Sequence, residues 1–223
     1  GRCDPFEPEL VQALAEKLDA LLAEISRTPP FTGMKEDARG KHRVPARRHF
    51  KFSYTPLDPK NPAPFVLLDV VHERNLYPLV ERVPVRTAFV ESDGTLLVPT
   101  VEGLLGDKLT AFGPNTTGVA LTEPTTMQFM KQVFDIGELF DAARDAAAVR
   151  TAYGQIFAAE NGYRGGKFTP ELALQDTFDT AYRIAQVSFA AAPEDGRDGL
   201  LDAGRKQIES HLVGVRFRRE EMK

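Results

Sequence analysis

The stretch Leu104 to Asp141, LLGDKLTAFGPNTTGVALTEPTTMQFMKQVFDIGELFD, decides how the rest of the chain is read. It describes two helices separated by a turn. Thr100, just after Pro99, is placed to cap the first helix, which Leu104, Leu105, Lys108 and Leu109 continue. Gly113-Pro114-Asn115 breaks it. Thr125 or Thr126 caps the second, which is expected to turn Met127, Met130, Val133 and Phe134 inward and to run through Asp141.

Two charged residues in this stretch stand among apolar neighbours. Lys108 has Leu104, Leu105 and Ala111 near it, so it can bring one positive charge to a triphosphate. The alternative is a lysine that snorkels from a helix boundary. Asp135 lies four residues after Lys131. The ordinary reading is an ion pair on one helix face, worth about 0.2–0.5 kcal/mol. Val133, Phe134 and Ile136 surround it, which suits a carboxylate that orients Lys108 or takes a proton from an attacking hydroxyl.

Before this stretch the texture is mixed. Residues 7–26 read as an amphipathic helix, with Leu10, Leu14, Leu18, Leu21, Leu22 and Ile25 on one face. Residues 31–48 are polar and basic and read as a loop or exposed hairpin. From His49 the period becomes two, with Phe50, Phe52 and Tyr54 on one side of a strand. A Pro-rich turn over Pro56–Pro64 follows. FVLLDVV, Phe65 to Val71, is apolar on both faces and reads as a central strand. Val85–Val90 and Thr95–Val98 read as two short strands joined by a turn at Ser92-Asp93-Gly94. After Asp141 further helices are expected over Ala143–Glu160, Pro170–Ala192 and Leu200–Val213. The chain divides on this reading into an α/β part, residues 1–98, and a helical part, residues 99–223.

Asp69 interrupts FVLLDVV. A carboxylate on an apolar strand must be paired, hydrogen-bonded or metal-bound, because unpaired burial costs several kcal/mol. A sheet carboxylate facing a cleft suits Mg²⁺, which prefers oxygen ligands. The plainer alternative pairs Asp69 with Arg74 or has it cap the loop after the strand. The basic segment Lys35–Lys51 could hold a nucleic-acid backbone, with Phe50, Phe52 and Tyr54 stacking bases, or it could be a charged sheet edge over an aromatic core.

Composition narrows the classes. The 223 residues are 42% hydrophobic and 27% charged, as in ordinary globular proteins. A net charge of −4 argues against indiscriminate coating of nucleic acid. Cys3 is the only cysteine, which excludes an intrachain disulfide and a zinc site with two cysteine ligands. His42, His49, His72 and His211 show no metal-ligand spacing, and no Walker A, GxGxxG, GxSxG or HExxH motif occurs. Tyr163-Arg164-Gly165-Gly166-Lys167 is a basic glycine turn, weak as a phosphate cradle. No apolar run is long enough to cross a bilayer, and a cytoplasmic location is expected.

Read together, LLGDKLTAFGPNTTG and MKQVFDIGELFD resemble the AbiEii/AbiGii family of nucleotidyltransferase toxins, closely over residues 98–141. The resemblance implies an α+β architecture: a polymerase-β-like nucleotidyltransferase fold, a mixed sheet with helices, followed by a helical C-terminal part. It implies that Lys108, Asp135 and Asp69 are catalytic, that Lys108 and Lys131 contact the nucleotide, and that Asp69 is a third sheet carboxylate that binds metal. The implied reaction is Mg²⁺-dependent transfer of a nucleotide from a nucleoside triphosphate to an RNA end, such as that of tRNA, or to a protein hydroxyl. A cognate antitoxin is implied as partner. The family's Gly-Ser turn and Asp-x-Asp strand have no match in GRCDPF, where Asp4 stands alone, so a preceding segment is expected. The alternative is a catalytically inactive relative that serves as a protein- or nucleic-acid-binding module.

Overall fold

The computed structural model describes residues 8–37, 47–56, 64–71, 73–86, 91–189 and 196–212. The basic residues Arg39, Lys41, His42 and Arg43 lie outside these, as do residues 57–63 of the Pro-rich turn, His72, residues 87–90, Cys3, Asp4 and the side chain of Leu10. The chain forms two compact units, Gly1–Asn75 and Leu76–Lys223. Among the described residues the architecture is α+β, with two small antiparallel sheets and six helices.

In the first unit, helix α1 (Pro8–Arg27) leads into strands β1 (Phe31–Asp37), β2 (Arg47–Tyr54) and β3 (Phe65–Val71), paired in the order β1-β2-β3. The basic segment is thus partly a hairpin, with Lys35 opposite Lys51 and Asp37 opposite His49. Leu22 buries itself against Phe50 and Phe52, and Leu18, Ile25, Phe31, Met34 and Val70 close this core. Leu14 and Leu21, expected on the same helix face, are instead about half exposed, because the three-stranded sheet covers only part of that face. Arg48 fastens helix to sheet by a two-pronged contact with Glu36 at 3.0 Å and a 2.8 Å contact with Asp19.

Two expectations for this unit fail. Phe50 and Phe52 are core residues at 1% and 4% exposure, so neither offers a ring for stacking bases. β3 is not a central strand among the described residues. It pairs with β2 alone, and Phe65, Val66, Leu67, Leu68 and Val71 are exposed. An apolar pattern on both faces records what a strand can bury, not whether its own sheet supplies the cover.

The second unit opens with a hairpin of β4 (Val80–Arg86) and β5 (Glu91–Pro99). Ser92, Asp93 and Gly94 lie within β5 rather than forming the turn, since Arg86 already faces Glu91. The helices follow: α2 (Val101–Thr110), a 3₁₀ turn at Glu123–Thr125, α3 (Thr126–Ala142), α4 (Ala146–Tyr163), α5 (Pro170–Phe189) and α6 (Gly196–Glu209). The hairpin, read from sequence with the first part of the chain, groups by its contacts with these helices.

Two clusters hold this unit together. Phe112, Phe129, Met130, Ile184, Leu201 and Ile208 join the end of α2 to α3, α5 and α6. Phe129, not Met127, provides the buried ring of α3, and Met127 is exposed. Tyr153, Phe157 and Ala173 form the second cluster, with Leu109 and Phe168 packed on it. α4 begins at Asp145, whose side chain accepts from the N–H groups of Ala147 and Ala148 at 2.9 and 3.1 Å. It ends at Gly165 and Gly166, whose φ values of 79° and 67° turn the chain out of the helix. Asn161 braces that exit through both backbone groups of Phe168. The glycine turn is therefore a helix stop.

Candidate functional site

The site is built on the two helices of the diagnostic stretch. Thr100 caps α2 as expected, accepting from the N–H of Gly103 at 3.1 Å. Its own N–H donates to Leu79 O at 3.2 Å, which fixes the start of α2 to the strand hairpin. Two turns into the helix, Lys108 reaches across to α3. Its Nζ donates to Asp135 Oδ2 at 2.7 Å and to Gln132 Oε1 at 3.2 Å.

Asp135 thus pairs with Lys108 and not with Lys131, its neighbour one turn earlier. Lys108, from the other helix, takes this contact, and Lys131 is exposed. Lys108 and Asp135 each retain 26% side-chain exposure. That places the pair between a screened surface contact, worth about 1 kcal/mol at most, and a dry buried one. An ion that remains partly wet can still meet an incoming phosphate.

Asp107, next to Lys108, faces elsewhere, because successive helix residues diverge around the axis. Tyr77 donates its phenol O–H to Asp107 Oδ2 at 2.5 Å. Burial, followed by this hydrogen bond, holds the Tyr77 hydroxyl above its usual range. The bond ties the segment before β4 to the last turn of α2. Glu102, in the first turn, accepts from the backbone N–H of Arg144 at 3.1 Å, and this bond lowers its carboxyl below the usual range. α2 is therefore fastened at both ends.

The turn between the helices is equally constrained. Gly118 N–H donates to Gly113 O at 2.8 Å and Val119 N–H to Ala111 O at 2.9 Å. Thr117 Oγ1 donates to Thr110 O at 2.7 Å. A Cβ on Gly118 would sit 2.5 Å from Ala111 O, so no side chain fits there. Asp176 of α5 accepts from Asn115 N–H, the Asn115 side-chain amide and Thr116 Oγ1 at 2.9, 2.7 and 2.9 Å. The turn also walls a cleft of about 470 Å³, lined on the α5 and α6 side by Asp179, Thr180, Arg183 and Arg197. Arg183 is held there by Asp198 at 2.7 Å, a carboxylate that is almost wholly buried.

Of the residues singled out from sequence, Lys108 and Asp135 meet within the second unit. Asp69 belongs to the first, where His49, its partner across the β2–β3 ladder, lies 2.7 Å from its Oδ1 through Nδ1. The alternative that paired Asp69 with Arg74 gives way to this cross-strand contact. Asp69 is 63% exposed, so its charge needs no burial partner. No group of three or more His, Cys, Asp or Glu side chains converges as metal ligands among the described residues. Mg²⁺ asks for near-octahedral oxygen coordination, and one exposed carboxylate engaged by an imidazole does not supply it. The described residues therefore do not by themselves make a Mg²⁺ site.

Gln132, Tyr77 and Asp176 were not read from the sequence as site residues. Gln132 carried a usable signal, since it precedes Asp135 by three positions and so shares its helix face. Tyr77 and Asp176 carried none, because their partners are far along the chain.

The α+β architecture, with a lysine–carboxylate pair a quarter exposed on two helices joined by a glycine-bounded turn, is consistent with the nucleotidyltransferase-like class. The family model described as nucleotidyl transferase AbiEii toxin, of a type IV toxin–antitoxin system, matches residues 4–211. The chain belongs to that family and is a nucleotidyltransferase-like toxin. No curated protein and no solved structure matches it. Among the described residues, no helix is long and apolar enough to cross a membrane.

Proposed function

We propose that this chain holds the phosphates in a site that transfers a nucleotide from a nucleoside triphosphate to an RNA end, such as that of tRNA. A protein hydroxyl is the alternative acceptor. The observation that supports this is Lys108, held at 2.7 Å by Asp135 yet a quarter exposed. The acceptor oxygen forms a bond to the α-phosphorus and the bond to pyrophosphate breaks. The acceptor's proton passes to solvent. Lys108 holds phosphate oxygens and offsets the charge that grows on them. Asp135 keeps the ammonium in place, and Lys131, on α3 with Asp135, adds a second cation. Mg²⁺ is proposed to enter with the triphosphate, and Asp69, in the other unit, is assigned no part in this step. The reaction is placed in the cytoplasm, with a cognate antitoxin as partner.

The test is incorporation of label from each of the four ribonucleoside triphosphates into total tRNA or into protein by the full-length chain. Lys108→Ala is expected to lower incorporation at least about a hundredfold, the scale of losing a main electrostatic contact. Unchanged incorporation would assign the lysine–carboxylate pair to the fold and favour a protein- or nucleic-acid-binding module instead.

A further inference from the structure

We infer that Gln132 is a positioning residue for the triphosphate: it aims Lys108 with a neutral acceptor, so that the ammonium keeps its charge for phosphate. The inference rests on the reading of Lys108 given above.

An ammonium has three N–H donors and no acceptor. Lys108 spends one on Asp135 Oδ2 and one on Gln132 Oε1. Among the described residues, one N–H is left for a ligand. Two tethers from one helix fix the direction of that third donor, where a single ion pair would let the side chain swing about it. The Gln132 amide is itself oriented, because its Nε2 donates to Gln128 O at 3.4 Å, one turn back on α3. That contact presents Oε1, not the amide nitrogen, to the lysine.

The chemistry of the second tether matters. Asp135 already balances the lysine's single charge. A second carboxylate in place of Gln132 would make the group net negative and repel a triphosphate. A glutamine provides direction with no such repulsion. The choice of an amide over an acid at this position is therefore tied to anion binding and not to holding the helices together, for which an acid would serve as well or better.

Gln132→Glu separates the two roles. It is nearly isosteric, keeps an acceptor facing Lys108 and adds attraction between α2 and α3. If Gln132 served only the fold, this variant would melt at or above the native temperature and bind nucleotide normally. The expected result is a native or raised melting temperature together with binding weakened about tenfold, the scale of one partly solvated charge contact. Binding is read by equilibrium titration with each ribonucleoside triphosphate and with inorganic tripolyphosphate, on the full-length chain. The tripolyphosphate should show the same loss, because the contact is with phosphate alone.

Gln132→Met gives the second arm. It fills the space without an acceptor, and a smaller loss of about threefold is expected from freeing the lysine. Native binding by Gln132→Glu, with binding lost in Lys108→Ala, would overturn the role of Gln132 and leave that of Lys108 standing. Native binding in Lys108→Ala would overturn both.

Discussion

Asp176 accepts hydrogen bonds from both the backbone N–H and the side-chain amide of Asn115, 61 residues earlier in the chain. A carboxylate on α5 thereby fixes the turn whose two ends carry α2 and α3. Lys108 stands before that turn and Asp135 after it. Any loosening of the turn changes the approach of one to the other.

Asp176→Ala should destabilise the chain by about 3 kcal/mol. The carboxylate is nearly buried at 8% exposure, and its loss leaves three donors without their acceptor. For a unit of this size the melting temperature should fall by roughly 5–10 °C. Asp176→Asn keeps one acceptor oxygen and should lose less. Calorimetry or a thermal melt of both variants checks the order, and equal melting of Asp176→Ala and the native chain would remove Asp176 from the support of the turn.

Tyr77→Phe should cost about 1–2 kcal/mol, because Asp107 then has no phenol to accept from. A pH dependence accompanies it. Tyr77 is held protonated above its usual value in the folded chain, so the folded state binds more protons than the unfolded state between the two values. The stabilisation is complete below the unfolded value near 10 and is lost as pH rises toward the folded one. Denaturation in urea at pH 8 and pH 11 should show the native chain losing stability more steeply than Tyr77→Phe. Parallel losses in the two proteins would contradict the shift.

The two helices and the turn were legible because their signals are local. Thr100 as cap, the break at Gly113 and the apolar spacing of α2 and α3 all act within a few residues. The partner of Asp135 was not legible in the same way. Helix periodicity proposes Lys131, one turn away, and only the packing of α2 on α3 brings Lys108 nearer. Reading Lys108 and Asp135 as one site depended on the family resemblance, since neither residue stands out by itself. β3 shows the opposite limit. Its residues are apolar on both sides, yet the sheet places it at an edge among the described residues, since composition is silent on strand order. Asp69 had a pairing with nearby Arg74 among its alternatives, and it pairs across the ladder with His49, through a register that the sequence does not display.

Gly106 and Gly137, both in the diagnostic stretch, should respond to alanine in opposite directions. A Cβ on Gly106 would meet Ala152 Cβ and Tyr153 N of α4 at 2.7 Å each. The second of these is backbone and cannot swing aside, so α2 and α4 would have to separate. Gly106→Ala should therefore destabilise by about 1–3 kcal/mol, the usual cost of overpacking. Gly137 is exposed on α3 with nothing within 4 Å of its would-be Cβ. There alanine only removes backbone freedom from the unfolded chain and should stabilise by about 0.5–1 kcal/mol. Paired thermal melts test both signs. A Gly106→Ala chain that melts like the native one would refute the close approach of α2 to α4. A destabilised Gly137→Ala would mean that α3 meets a contact at Gly137 beyond those among the described residues.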